Sequence, residues 1–98
     1  MHASIWKFSG DPDDLAQRYD ALIEELPTSE FIAHLCLRAP DGLVVVDVCP
    51  SEAAFQGFST DPGFRAARRR HGIPDPSTLD DHPVHVAFIN GARPALQP

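Results

Sequence analysis

His34 and Asp47 are the residues in this chain whose types and placement best suit proton-transfer chemistry. An imidazole titrates near neutrality, and a carboxylate beside it fixes its tautomer and raises its basicity. Whether the two meet depends on a turn. Phe31 to Arg38 and Leu43 to Cys49 are β-rich runs flanking Ala39-Pro40-Asp41-Gly42, which reads as a hairpin. If Ala39 to Gly42 close a four-residue loop, Arg38 pairs with Leu43, Cys36 with Val45 and His34 with Asp47. Directly opposed residues share a face of the sheet, close enough to interact. A three- or five-residue loop would give His34 a different partner. The pair has two readings: a general base or acid held by Asp47 inside a small-molecule pocket, or a half-buried polar contact that satisfies itself.

Other residues could complete a pocket. Tyr19 falls on the buried stripe of a helix, where its hydroxyl packs in the core or serves as a pocket donor. His85 either joins His34 or is an ordinary strand residue. Trp6, Phe55 and Phe58 would form the aromatic walls for a hydrophobic ligand, or simply the core. His82 and His85 have a metal-like look, but a three-residue step on a strand sends side chains to opposite faces, so no metal is expected, nor any other cofactor. Cys36 and Cys49 read as small buried apolar residues and make neither a disulfide framework nor a C-x-x-C motif. Arg65, Arg68, Arg69, Arg70 and His71 have the look of an anion site, but read better as a solvated face that complements the negative end of a helix.

The elements that must position these residues follow from periodicity and punctuation. Ala3 to Phe8 reads as a strand. Asp11 suits an N-cap and Pro12 the first helical position. Leu15, Tyr19, Leu22, Ile23 and Leu26 then make one apolar stripe that Pro27 stops. Ser51 caps a second helix through Phe55 and Phe58. Asp61-Pro62 interrupts or restarts it, and Phe64, Ala67 and Arg68 continue it to His71-Gly72. Ile73 to Asp81 reads as a loop, Val84 to Ile89 as the last strand, and residues 91–98 as a frayed tail.

The order is therefore β-α-β-β-α-β, a ferredoxin-like α+β arrangement with a four-stranded antiparallel sheet. One choice of strand faces is wholly apolar: Trp6 and Phe8, Phe31 to Leu37 at alternate positions, Val44, Val46 and Val48, and Val84, Val86 and Phe88. The complementary set is mixed and contains His34 and Asp47. Helices cover only one side of such a sheet, so two oily faces predict a symmetric homodimer, sheet on sheet.

Bulk properties narrow the possibilities further. The 98 residues fit one domain, 1–98, and a chain so short gains from oligomerisation. A net charge of -6, with 14 acidic and 8 basic residues, argues against a nucleic-acid partner and against a polybasic membrane patch. MHASIWKFSGDPDD has neither a basic nor an apolar region of a signal peptide, and a cytoplasmic location is expected.

The stretches SGDPDDLAQRYDAL, IAHLCL, LVVVDVCPSEAAFQGF and HPVHVAFI together resemble the dimeric α/β-barrel superfamily, which includes antibiotic-biosynthesis monooxygenases, haem-degrading proteins and small polyketide cyclases. The likeness is strongest to small actinobacterial-type members. It implies a barrel built by two copies and a hydrophobic, carbonyl-rich ligand, polyketide- or quinol-like. Departures from the pattern are specific. Cys49 stands where a Trp usually closes the third strand. Phe58 stands where monooxygenase-like members often have a His, and Phe58 and Phe64 replace the Tyr and His of plant polyketide cyclases. The expected function is an acid-base cyclase or isomerase, or a cofactor-free monooxygenase, using His34 and Asp47 with Tyr19 or His85 on a substrate oxygen. The alternative is a non-catalytic ligand-binding protein or a dimeric interaction or stress protein.

Overall fold

A computed structural model describes residues 1–94. Four strands, β1 (His2–Ser9), β2 (Ala33–Ala39), β3 (Gly42–Cys49) and β4 (Thr78–Pro83), form an antiparallel sheet in the order β2-β3-β1-β4. Helix α1 (Pro12–Ile23) links β1 to β2, and α2 (Glu52–Ser59) and α3 (Pro62–Arg70) lie between β3 and β4. This is the ferredoxin-like order predicted from the sequence.

Local chemistry explains where each helix starts. The Asp11 carboxylate accepts from the Asp14 amide at 3.0 Å, with Pro12 following at the first turn. Ser51 Oγ caps α2 through the Ala54 amide, and Asp61 caps α3 through the Gly63 amide, with Pro62 opening the new helix. Asp61-Pro62 therefore divides the second helical region in two. Helix α3 ends at Arg70 with His71 as its cap, and Gly72 beyond it holds a φ of +74° that suits glycine. There the Gly72 amide bonds Arg69 O and the Ile73 amide bonds Arg68 O, a Schellman closure that sets Ile73 into the core.

The hairpin turns tightly at Pro40–Asp41, with Ala39 opposite Gly42. Its loop is two residues rather than four, but both are centred between Pro40 and Asp41, so Arg38 opposes Leu43, Cys36 opposes Val45 and His34 opposes Asp47. Gly42 holds φ +157°, and a Cβ there would stand 1.8 Å from the Phe8 carbonyl oxygen on β1. Only glycine lets the hairpin approach β1 this closely.

Two expectations are corrected by the structure. The last strand is not Val84 to Ile89 but Thr78–Pro83, within the stretch expected to be a loop. Its polar residues have low strand propensity, yet they pair fully with β1: Ser4 faces Asp81 and Trp6 faces Leu79, while His2 Nε2 and Asp81 Oδ1 lie 2.6 Å apart. As an edge strand, β4 tolerates this polarity and its terminal Pro83. Val84 to Ile89 leaves the sheet, and Val86 and Phe88 are exposed. The second correction concerns β1. Trp6 lies opposite Val45, so Trp6 and Phe8 share the face of His34 and Asp47 instead of the opposite one. Residues 95–98 of the expected tail lie outside the described residues, while Ile89 and Ala92 pair across a turn.

The face carrying Trp6, Phe8, Leu43 and Val45 packs under the helices against Leu15, Leu22, Phe55 and Phe64. The other face bears Ile5, Leu35 and Leu37, all exposed, beside half-buried Val44, Val46 and Val48. Lys7 and Asp80 border it at the β1–β4 side. Among the described residues, no helix is long and apolar enough to cross a membrane.

Candidate functional site

Three elements bring three proton-carrying groups into line. Tyr19 projects from the buried stripe of α1, His34 stands at the start of β2, and Asp47 lies opposite it on β3. The Tyr19 hydroxyl lies 2.5 Å from His34 Nε2, and His34 Nδ1 is hydrogen-bonded to Asp47 Oδ1. Asp47 is 3% exposed, so its remaining charge has little water to screen it. An ionised Asp47 accepts only, which makes His34 Nδ1 the donor to it. In the neutral imidazole, Nε2 is then the acceptor for the Tyr19 O–H. Burial first, then the charge of Asp47, push the Tyr19 phenol far above its ordinary range. The tyrosine therefore rests as a proton donor.

The rings are held by neighbours as well as by hydrogen bonds. Phe31 stacks on His34 with centroids 5.0 Å apart, and Tyr19 lies nearly parallel to His34. A polar row crosses the whole sheet on its helix side, from His34 through Asp47 and Ser4 to Asp81. Ser4 in this row accepts from Trp6 Nε1 at 2.9 Å, which fixes the indole.

A cavity opens beside this line, bounded by Trp6, Tyr19, Phe31, His34, Asp47 and Phe58, with Phe64 and Arg68 closing the helix side. Its volume is about 20 Å³, room for one water-sized group. A larger groove of about 510 Å³ lies outside, between the end of α1 and helices α2 and α3. Leu26, Phe58 and Phe64 line both spaces, and the two phenyl rings pack 4.3 Å apart as the partition between them.

The sequence-predicted residues divide accordingly. His34, Asp47, Tyr19, Trp6 and Phe58 come together at the cavity. Phe55 does not line it; it is buried behind Trp6 and against His2. His85 lies beyond the end of β4, exposed, because the strand expected to carry it into the sheet ends at Pro83. His82 on β4 is exposed too, and no group of three or more His, Cys, Asp or Glu residues is placed to hold a metal among the described residues. Cys49 is buried as expected, whereas Cys36 is exposed on the outer strand. Burial is the main cause raising both thiols, so neither has the low-pKa environment of a reactive thiolate.

Arg68 lies on the opposite side of its helix from the one expected. It was expected on a solvated face but is 5% exposed and lines the cavity. Phe64, Ala67 and Arg68 form the buried stripe of α3, at a spacing visible in the sequence. Its charge argued for solvent, but its guanidinium carbon sits 5.2 Å from the Phe64 ring centroid. Arg70 and His71 do meet solvent and bind Glu25, where the His71 hydrogen bond, then that of Arg70, hold the carboxyl below its ordinary range.

No known family model matches the chain, and no curated protein sequence is similar to it. Among solved structures, the chain is similar to a protein from Chloroflexus aurantiacus J-10-fl that is assigned by name to the antibiotic biosynthesis monooxygenases. That crystal structure superposes with a TM-score of 0.59 over 83% of this chain and 89% of the other, at 14% sequence identity. Likeness at such low identity speaks to architecture, because one fold hosts many activities. The chain therefore has the ferredoxin-like α+β fold predicted from its sequence, in common with that monooxygenase-named protein.

Proposed function

We propose that the protein is a small-molecule enzyme in which Tyr19, His34 and Asp47 relay a proton to or from a hydrophobic, carbonyl-bearing substrate. The observation that carries this reading is the continuous hydrogen-bonded line from the Tyr19 hydroxyl through both ring nitrogens of His34 to buried Asp47. In the forward step the substrate yields the proton of a C–H beside its carbonyl to the Tyr19 oxygen. The Tyr19 proton passes to His34 Nε2, and Asp47 stabilises the imidazolium. An enolate remains on the substrate. It attacks a second carbonyl and is reprotonated from the relay in a cyclase, or regains a proton at a new carbon in an isomerase. In the oxygenase variant the enolate carbon of a CH₂ beside the carbonyl adds dioxygen and a proton to give a hydroperoxide. The hydroperoxide then loses water, its second α-hydrogen leaving with the outer hydroxyl. The CH₂ becomes a carbonyl that keeps one oxygen atom, and it supplies all four electrons that dioxygen takes up. Such proton transfer contributes roughly 10²–10⁴-fold in rate.

The active form in this proposal is a homodimer joined through the outer sheet face. Ile5, Leu35 and Leu37 are exposed there, and a second copy is the self-complementary cover that a symmetric interface requires. The small inner cavity favours a second reading, a non-catalytic dimeric ligand-binding or interaction protein in which the His34–Asp47 pair only satisfies itself.

Exchange of α-protons in D₂O separates the two. A panel of aromatic ketones headed by 1-tetralone is followed by NMR, with oxygen uptake recorded in parallel. At least one ketone should exchange roughly 10²-fold or more faster with wild type than with His34→Ala. Oxygen uptake accompanying exchange marks the oxygenase variant. If no ketone distinguishes the two proteins, the enzyme reading fails.

A further inference from the structure

We infer that residues 84–89 are a docking arm that adds as a strand to the β2 edge of a second copy of this chain. The inference rests on the homodimer proposed above and names what clasps it; it does not depend on the proton line. The arm leaves the sheet after Pro83, with Val84 N bonded to Met1 O at 3.0 Å. It ends in a tight turn. Asn90 and Gly91 hold positive φ angles of 51° and 75°, and Ile89 and Ala92 exchange both backbone hydrogen bonds, at 2.7 and 2.9 Å. Positive φ at both central residues is the geometry of a β-hairpin turn. Between these two fixed ends, residues 85–88 make no backbone hydrogen bond among the described residues. Val86 is 43% and Phe88 67% exposed, and their two-residue spacing puts them on one side of a strand. A hairpin of this size is marginal in water unless it packs on another surface.

Strand β2 is the surface that fits. It is one edge of the sheet, so one side of its backbone is open to a further strand. Leu35, Cys36, Leu37 and Arg38 are exposed along it, and it contains no proline to block pairing. The opposite edge, β4, is blunted by Asp80, Asp81 and Pro83. Within one chain the arm follows β4, and β1 and β3 lie between it and β2. A second copy related by a two-fold axis removes that obstacle. Each arm then meets the other copy's β2, the two contacts are identical, and assembly closes at two copies. Ladder hydrogen bonds satisfy the open backbone on both sides, and the apolar side of the arm falls beside Leu35 and Leu37. Because β2 also carries His34, the docked arm adds a strand beside the candidate site, on the side away from Asp47.

Cys36 supplies the test, since it is the exposed thiol of β2 whereas Cys49 is buried. Val86→Cys, Ala87→Cys and Phe88→Cys are each oxidised with copper phenanthroline, with and without Cys36→Ser. At least one should give a disulfide-linked dimer that its Cys36→Ser version loses, with peptide mass spectrometry joining Cys36 to the arm. In analytical ultracentrifugation, Phe88→Ser should weaken the dimer by about tenfold or more. Its far-ultraviolet circular dichroism should not change, because Phe88 lies outside the core. A disulfide confined to one chain, one that all three variants keep without Cys36, or none in any variant overturns the inference. So does a Phe88→Ser dimer as tight as wild type. With a dimeric wild type these results remove only the arm, whereas a monomeric wild type overturns the dimer itself.

Discussion

Tyr19 links the chemistry of the site to the stability of the fold. Its phenol is raised above the ordinary 10.0, so the native state holds the proton where the unfolded chain gives it up. Above about pH 10 the native state then binds more protons than the unfolded one, and stability falls as pH rises. Urea titrations between pH 9 and 11 should therefore show a steeper loss for wild type than for Tyr19→Phe, which has no phenol to ionise. Asp47 has the complementary role. Asp47→Asn keeps the shape but loses the charge that holds His34 Nδ1–H, and should lower ketone exchange by roughly 10²–10⁴-fold, measured by the same NMR assay. At this scale much was legible in the sequence. His34 and Asp47 could be paired because a two- or a four-residue turn centred between Pro40 and Asp41 gives the same register. Arg68 was not legible, because its charge outweighed its place in a Phe64-Ala67-Arg68 stripe. Only the packed structure provides the Phe64 ring and the Pro74 carbonyl that take it out of water.

Among the elements, the break between α2 and α3 matters most for access. Phe58 near the end of α2 and Phe64 near the start of α3 flank the Asp61-Pro62 restart, and their rings divide the inner cavity from the outer groove. Phe58→Ala should join the two spaces. Phe58 is only half-buried, so the expected cost is about 2 kcal/mol, below that of a fully buried phenylalanine, read from urea midpoints. Acrylamide quenching of Trp6 should rise in the same protein, since Phe58 packs edge-on against the indole. The helix starts and the hairpin were readable because caps, prolines and a turn are local signals. Strand β4 was not. Thr78 to Pro83 has little strand propensity of its own and is selected by its partners on β1, notably Ser77 N to Lys7 O at 2.7 Å and the His2–Asp81 contact. His85 was misplaced for the same reason, since its position in the site depended on the strand that was expected to carry it.

The molecule as a whole presents one helix-covered sheet face and one open apolar face. Replacing Leu35 with Lys on that open face should dissociate the proposed dimer in analytical ultracentrifugation. The far-ultraviolet circular dichroism should be unchanged, because Leu35 is 57% exposed and contributes little to the core. The same architecture aligns α1, β2 and β3 so that Tyr19, His34 and Asp47 meet, and the central claim is that these three form a proton line. Nitrogen-15 NMR of labelled histidine at neutral pH tests that claim most directly, with His34→Ala identifying the resonances. His34 should carry its proton on Nδ1, with Nε2 accepting from Tyr19 and shifting in Tyr19→Phe. A neutral His34 protonated on Nε2, or an Nε2 signal indifferent to the loss of the Tyr19 hydroxyl, would contradict it.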